Sequence, residues 1–363
     1  MPPESYVKLL FEELRQKHRA FPKGPVDTVY FGGGTPSLIS AELIVSLLEE
    51  LAKYGFTTRP ETEITIEINP ATVDPKKMEM YLKAGINRFS VGAQSFDDRL
   101  LKMVHREHNA EQTRQTLRLL QSYKVNYSFD VLFALPHQTV DGLKKDLDEV
   151  LAFDPPHVSP YCLTVPEGHV LTKNRPLEDE QIEMFDLISN TLKSADYHRY
   201  EISNFSKKGF ESRHNSLYWD NSQYWGLGLS AHSYMHEGPW GLRFWNASSI
   251  GAYEQQIKQN QAQEFSKASE NLPAEQFEFL KKNQALTDFC HTSLRTALGL
   301  NENDLISRFS TEIKGQVVPQ LKLFAEQGLL ENHAQNQWRL TDEGLVLSNQ
   351  VFAGLTYLEG ELR

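Results

Sequence analysis

The feature that most limits what this chain can fold into is an alternation. Five short runs rich in β-branched and aromatic residues, at 28–31, 64–68, 88–91, 127–132 and 158–163, are separated by stretches at 43–54, 76–84, 109–122 and 140–153. Each separating stretch carries apolar residues at helical spacing. Alternation of β and α with crossovers this long implies parallel pairing and right-handed βαβ units. At least five such units give either a doubly wound sheet or a (β/α) barrel.

The strand ends favour the barrel. Polar residues collect where each run stops: Gly32-Gly33-Gly34-Thr35 after the first, Glu67 and Asn69 on the second, Gln94 after the third and Asp130 on the fourth. A barrel draws its functional residues from the ends of several strands, whereas a doubly wound sheet concentrates them at one switch point. Beyond about residue 200 the character changes. Residues 215–245 are rich in Trp, Tyr and Gly, a Gln-rich connection follows at 255–269, and the tail reads as helices closed by a hairpin, in the manner of a winged-helix unit. The expected segments are 1–200, 201–263 and 264–363.

Composition narrows the partners. The chain has 363 residues with 37 Lys+Arg against 48 Asp+Glu, a net charge of −11, and 40% hydrophobic residues. That apolar content is enough for a real core, and the acidic balance argues against nucleic acid or an anionic membrane as the main partner. From Glu264 onward 14 acidic residues face 9 basic ones, so the winged-helix-like tail is not expected to read DNA. Two cysteines, Cys162 and Cys290, cannot build a disulfide framework and suit a reducing, cytoplasmic compartment. The first fourteen residues read as an acidic amphipathic stretch rather than a secretion signal.

Taken singly, the polar strand-end residues are weak signals. Gly32 to Ser37 lacks the Lys-Ser/Thr of a P-loop and the spacing of a dinucleotide fingerprint, but its glycines allow close backbone approach to a ligand, and Thr35 or Ser37 can cap the next helix. Glu67 can accept both hydroxyls of a ribose. Gln94 can donate and accept, and Arg106 offers a planar fork for a carboxylate. Asp130 interrupts an apolar strand, so it must be paired or face a cavity. On one rim, these residues describe a pocket for a zwitterionic nucleoside. The pairs His105/His108 and His232/His236 lack a carboxylate partner at metal-site spacing and are not read as metal sites.

In this order, GGGTPS, EINP, VGAQSF with HREH, and FDVLFALPHQT resemble the radical S-adenosylmethionine (SAM) proteins of the oxygen-independent coproporphyrinogen oxidase group. Within that group, His214-Asn215-Ser216-Leu217-Tyr218-Trp219 is similar to the HNxxYW signature of the HemW haem chaperones. The resemblance implies a partial (β/α)6 barrel of α/β class that lacks its first strand, followed by an α+β C-terminal region. It implies that Gly33, Gly34 and Thr35 contact the methionine end of SAM, that Glu67 holds the ribose, and that Gln94, Arg106 and Asp130 line the remainder. It also implies haem as a ligand, with His214, Tyr218 and Trp219 as candidate contacts, and haem-receiving apo-proteins, respiratory enzymes among them, as partners; peripheral membrane association stays open.

One departure stands out. The group's CxxxCxxC motif, whose three thiolates hold a [4Fe–4S] cluster, has no counterpart among residues 1–363. The run at 28–31 is also expected to lie at an exposed sheet edge without a protecting Lys or Pro. A start placed too far downstream is the expected cause, ahead of a shortened relative that has lost its cluster. Three functions follow in order: a haem chaperone; an oxygen-independent coproporphyrinogen III dehydrogenase; and a cluster-free relative that binds haem or SAM passively.

Overall fold

The computed structural model describes residues 1–260, 263–270 and 272–362. Of the Gln-rich connection expected at 255–269, Gln261 and Ala262 lie outside the described residues. The chain forms two compact units, one of Asp27–Ser46 and Pro60–Arg213, the other of Met1–Val26, Leu47–Arg59 and His214–Arg363.

The first unit is built on a curled seven-stranded sheet: β1 (Thr28–Phe31), β2 (Glu63–Ile68), β3 (Arg88–Gln94), β4 (Asn126–Phe133), β5 (His157–Cys162), β6 (His198–Glu201) and β7 (Asn204–Ser206). Its order is β1-β2-β3-β4-β5-β7-β6. The first five strands are parallel and in sequence order, so the sheet has no switch point, and the partial barrel is the architecture found. Beyond the five expected strands, an antiparallel pair extends the far side, β7 on β5 and β6 on β7. β1 is the opposite edge, and its four residues are half-buried.

Helices Pro75–Lys83, Ala110–Tyr123 and Val140–Phe153 return the chain between strands. Their starts are written locally. Asp74 accepts the Lys77 amide at 2.8 Å, Asn109 and Gln112 form a reciprocal capping box, and Thr139 accepts the Gly142 amide at 3.1 Å.

The two faces of the sheet differ in kind. Ile64, Ile66, Ile68, Phe89, Val91, Phe129, Val131 and Val158 fill one face and are almost wholly buried. Strand register places Tyr30 beside Thr65, Thr65 beside Arg88, Glu67 beside Ser90, Ser90 beside Ser128, Ser128 beside His157, and Asp130 beside Ser159, all on the other face. Side chains alternate with period two, so the concave interior is polar from one end to the other. Most of these polar groups are deeply buried, Arg88, His157, Ser128 and Ser159 among them, which demands partners for each. Arg88 donates to the Phe210 carbonyl at 3.1 Å, and His157 Nε2 meets the Tyr200 hydroxyl at 2.9 Å.

In the second unit, helix Pro3–Lys17 packs Leu9 with Ala247, Tyr253 and Ile257. Strands His232–Met235, Leu242–Trp245 and Phe277–Phe279 form a small antiparallel sheet. The tail runs helix Lys282–Leu294, strand Leu300–Asn301, helices Glu302–Arg308 and Thr311–Glu326, then the hairpin Leu330–Ala334 with Gln337–Leu340. The short strand pairs onto the hairpin, which is the order of a winged-helix unit. Among the described residues no helix is long and apolar enough to cross a membrane.

Candidate functional site

The carboxyl ends of β1 to β4 bring the strand-end residues together. β1 runs into Gly32-Gly33-Gly34, where Gly33 has φ +94, a backbone state that side chains other than glycine rarely adopt. A Cβ on Gly32 would lie 2.4 Å from the Tyr30 ring and 2.7 Å from Glu67 Oε1, so only glycine lets the loop cross that carboxylate. Above Gly33 and Gly34 nothing lies within 4 Å of a built Cβ, which leaves a cradle open to a ligand.

Glu67 is half-buried. It accepts the Tyr30 hydroxyl at 2.7 Å and the Gly33 backbone N–H. Burial raises its carboxyl above the ordinary range, opposed by those two hydrogen bonds and the Arg106 charge. Asp130 is pushed up to about 7, first by burial and then by the charge of Glu67; Ser159, Ser90 and Arg88 pull the other way. The Ser90 hydroxyl lies 3.3 Å from Asp130 Oδ2. Burial lowers the Arg106 guanidinium, while Asp130 and Glu67 hold it up. Two acids and one fork in a polar recess can hold hydroxyls and an ammonium or sulfonium on one side and a carboxylate on the other.

Gln94 ends β3 with φ +69, after a register shift that begins at Val91. A left-handed glutamine at a strand end is strained, and such strain is kept where surrounding contacts over-determine it. A Cβ on Gly92 would be 3.3 Å from Gln94 Nε2 and 3.5 Å from Asn69 Oδ1, so the glycine makes room for two amides side by side.

The glycine loop, Glu67, Gln94 and Asp130 come from the strands and their ends, and Arg106 reaches them from the turn after helix Asp98–Met103; Asn69, read from sequence only as a polar strand-end residue, ties them together. Asn69 donates to Thr35 Oγ1 at 3.2 Å and accepts from Arg106 at 3.3 Å, joining the glycine loop to the cation. Its signal was its position two residues after Glu67, on the same face of the chain. Thr35 and Ser37 do not cap the next helix. A single 3₁₀ turn, Pro36–Leu38, follows instead, and the Ser37 hydroxyl accepts the Asn69 amide at 3.2 Å and the Thr72 hydroxyl at 2.7 Å. The adjacent strand end takes the place of the cap, because the Ser37 hydroxyl there satisfies the half-buried Asn69 amide.

The aromatic candidates lie in the other unit, on helix Arg213–Trp219. His214 Nε2 is 3.1 Å from the Tyr218 hydroxyl, and the rings meet edge to face. Tyr218 in turn meets Tyr224 at 4.7 Å between centroids. Trp219 turns inward: its indole Nε1 is buried with no partner among the described residues, and the Arg295 guanidinium sits 5.5 Å from its ring centroid. Trp225 stacks on Phe21 at 4.0 Å and serves packing.

Three of the four histidines paired in the sequence make contacts within the fold. His108 Nε2 meets the Ala93 carbonyl at 3.2 Å and burial pushes its imidazole below the ordinary range, His236 Nε2 meets the Asn221 carbonyl at 2.8 Å, and His232 stacks on Trp245. No group of three or more His, Cys, Asp or Glu suited to a metal ion occurs among the described residues. Cys162 is exposed, contrary to the small buried side chain its residue type suggests, and Cys290 is buried. Two thiols are fewer than a [4Fe–4S] cluster needs, so residues 1–363 do not fit that group and no step is assigned to it. The rim of the first unit, by contrast, fits SAM in its open glycine cradle and its donor set.

Comparison with known proteins gives the chain's family and fold. The signature of the radical SAM superfamily matches residues 2–150. The chain is 31% identical over 360 residues to the heme chaperone HemW of Lactococcus lactis subsp. lactis (strain IL1403), covering 97% of this chain and 89% of that protein. It is 28% identical over 359 residues to HemW of Bacillus subtilis (strain 168), covering 97% and 91%. Among solved structures, the radical SAM enzyme coproporphyrinogen III oxidase (HemN) from Escherichia coli superposes with a TM-score of 0.79 at 18% identity, covering 97% of this chain and 83% of that one, a likeness of fold.

Proposed function

Because the chain belongs to the HemW family within the radical SAM superfamily, we propose that it is a haem chaperone, which binds haem as cargo and passes it to apo-proteins such as respiratory haem enzymes. The observation that carries this reading is the likeness to HemW over nearly the whole of both chains. The helix bearing His214 and Tyr218 supports it with an imidazole and a phenol on one face, two side chains that ligate haem iron in other proteins.

In the first unit, Gly33, Gly34 and Thr35 would take the methionine end of SAM, Glu67 the ribose hydroxyls and Arg106 the carboxylate, with Gln94 and Asp130 along the rest of the rim. Bound there, SAM supplies a sulfonium whose C–S bond a one-electron donor can break. The chain's own part is to bind and orient. Tyr30 holds Glu67 by its hydroxyl, Asn69 holds Arg106, and the Gly33 N–H fixes the second side of the carboxylate.

Replacing Asn69 by Ala is expected to lower SAM affinity roughly tenfold, the equivalent of about one lost hydrogen bond at 1.4 kcal/mol. Isothermal titration of the full chain measures this, and wild-type affinity in the variant removes Asn69 from the site.

The chaperone reading is tested by titrating the full chain with ferric haem and mixing the complex with a haem-free acceptor such as an apo-cytochrome. Saturable binding followed by transfer to the acceptor is expected. Anaerobic incubation with coproporphyrinogen III, SAM and a reductant is expected to leave the porphyrinogen unchanged; formation of protoporphyrinogen would replace the chaperone with the dehydrogenase.

A further inference from the structure

Resting on the haem-binding reading, we propose that the iron of ferric haem is bound by the phenol oxygen of Tyr218, and that His214 is its hydrogen-bond partner rather than the iron ligand. Helix Arg213–Trp219 places residues four apart on one face, so His214 and Tyr218 lie one above the other. The Nε2 atom of His214, one of the two ring nitrogens that could meet iron, is 3.1 Å from the Tyr218 hydroxyl, with the rings at 89°. Its ring is half-buried and makes a further interaction, so it is not a free imidazole.

Tyr218 is the more exposed member of the pair. It is 38% exposed, the largest exposed aromatic of the helix, and its ring is braced edge to face by Tyr224 at 4.7 Å. Trp219 faces inward under Arg295 and holds the helix in place instead of flanking a porphyrin. Of the other histidines in this unit, His236 has its Nε2 held by the Asn221 carbonyl.

The chemistry balances without any electron transfer. Ferric haem arrives with a weakly held axial water. An Fe–O bond forms to Tyr218, the Fe–water bond breaks and the water leaves, and the phenol proton passes to His214 Nε2, which lies 3.1 Å from the hydroxyl and accepts it in the Nδ1–H tautomer. The iron stays ferric. Phenolate is an established axial ligand of haem iron, and a neighbouring acceptor for its proton is what an uncharged tyrosine needs to become one.

The test uses the full chain and ferric haem. Wild-type protein is expected to show a phenolate-to-iron charge-transfer absorption and phenolate modes in resonance Raman spectra. Tyr218→Phe, which keeps the ring packed on Tyr224, is expected to lose both and to bind at least about tenfold more weakly, with an unchanged melting temperature. His214→Gln keeps a hydrogen-bond partner but cannot take up the proton, so its phenolate signature is expected to be weaker at neutral pH and to recover as the pH is raised. An imidazole-type spectrum in the wild-type complex, or a Tyr218→Phe variant with wild-type spectrum and affinity, overturns the ligand assignment alone. Absence of any saturable haem binding by the wild-type chain overturns the chaperone reading with it. The wild-type Raman spectrum decides the matter even if a variant fails to fold.

Discussion

Asp130→Asn is expected to raise the melting temperature at pH 8 by several degrees, to leave it unchanged near pH 4, and to weaken SAM binding about tenfold or more. The cause is the carboxyl that burial and the Glu67 charge push up to about 7. In the unfolded chain the same group titrates near ~3.9. Between those two values the folded protein holds a proton that the unfolded chain has released, so this group makes stability fall as pH rises from about 4 to about 7, and above that its cost is constant. At 1.36 kcal/mol per unit the separation sets an upper bound of about 4 kcal/mol. Asp130 is only half-buried by surface area, and water on its open side brings the realistic figure to about 1–2 kcal/mol. Asparagine keeps the shape and the contact with Ser90 but cannot ionise, so it escapes that cost. In a protein of this size 1 kcal/mol shifts melting by roughly 2–4 °C. On the proposed placement of SAM along this rim, the same substitution removes a negative charge from the pocket of a cationic ligand, so affinity is expected to move the other way. Calorimetric melts across pH 4 to 8 with SAM titrations at pH 8 check both halves. A stabilisation equal at both ends of that range would show that ionisation is not its source.

That opposition explains why Asp130 was visible in the sequence at all. An acid inside YSFDVLF violates the local pattern, and local violations are where a site tends to be. The same holds for Glu67 after ITI and for Gln94 after VGA. The parallel strands were legible because each carries one apolar set with period two, and their ends were found to within a few residues. Legibility failed for the other face. Ser90, Ser128, Ser159 and His157 alternate with buried apolar residues and read as ordinary half-exposed strand positions, yet they line a polar interior that only the curl of the sheet creates. Asn69 was visible as a polar strand-end residue but was given no role, because its importance lies in two partners 34 and 37 positions away. The antiparallel pair β6 and β7 is too short for periodicity to show. Helix Pro3–Lys17 read only as an acidic amphipathic stretch, and nothing local reveals that two of its charged residues are buried.

Those two residues carry the largest stability effect expected here: Glu13→Ala should cost about 3–5 kcal/mol. Glu13 is wholly buried and accepts four hydrogen bonds, from Lys17 at 2.8 Å, Asn246 at 2.7 Å, Tyr253 at 2.8 Å and the Gly228 amide at 2.8 Å. Lys17 is 4% exposed and donates also to Asn246 Oδ1 at 2.9 Å. Removing the acid leaves the ammonium in the interior with one neutral partner and strips the acceptor from the Tyr253 hydroxyl and the Gly228 amide. Breaking one side of a buried pair costs far more than replacing both sides, because the survivor is an uncompensated charge. Glu13→Leu with Lys17→Met should therefore recover most of the loss, and guanidinium unfolding of the three proteins measures it. A single variant within about 1 kcal/mol of wild type, or a double variant no better than the single, would end this account. The double variant also separates stability from specificity. Gly228 has φ +104 and its amide is fixed by Glu13, while the Leu229 amide donates to Tyr6 at 3.0 Å. With Glu13 gone but the core refilled, the loop at 226–230 loses one of those two anchors. Faster proteolytic cleavage there at restored global stability is the expected result, and it would mean that the buried pair is retained to set the course of that loop, with little net contribution to holding the unit folded.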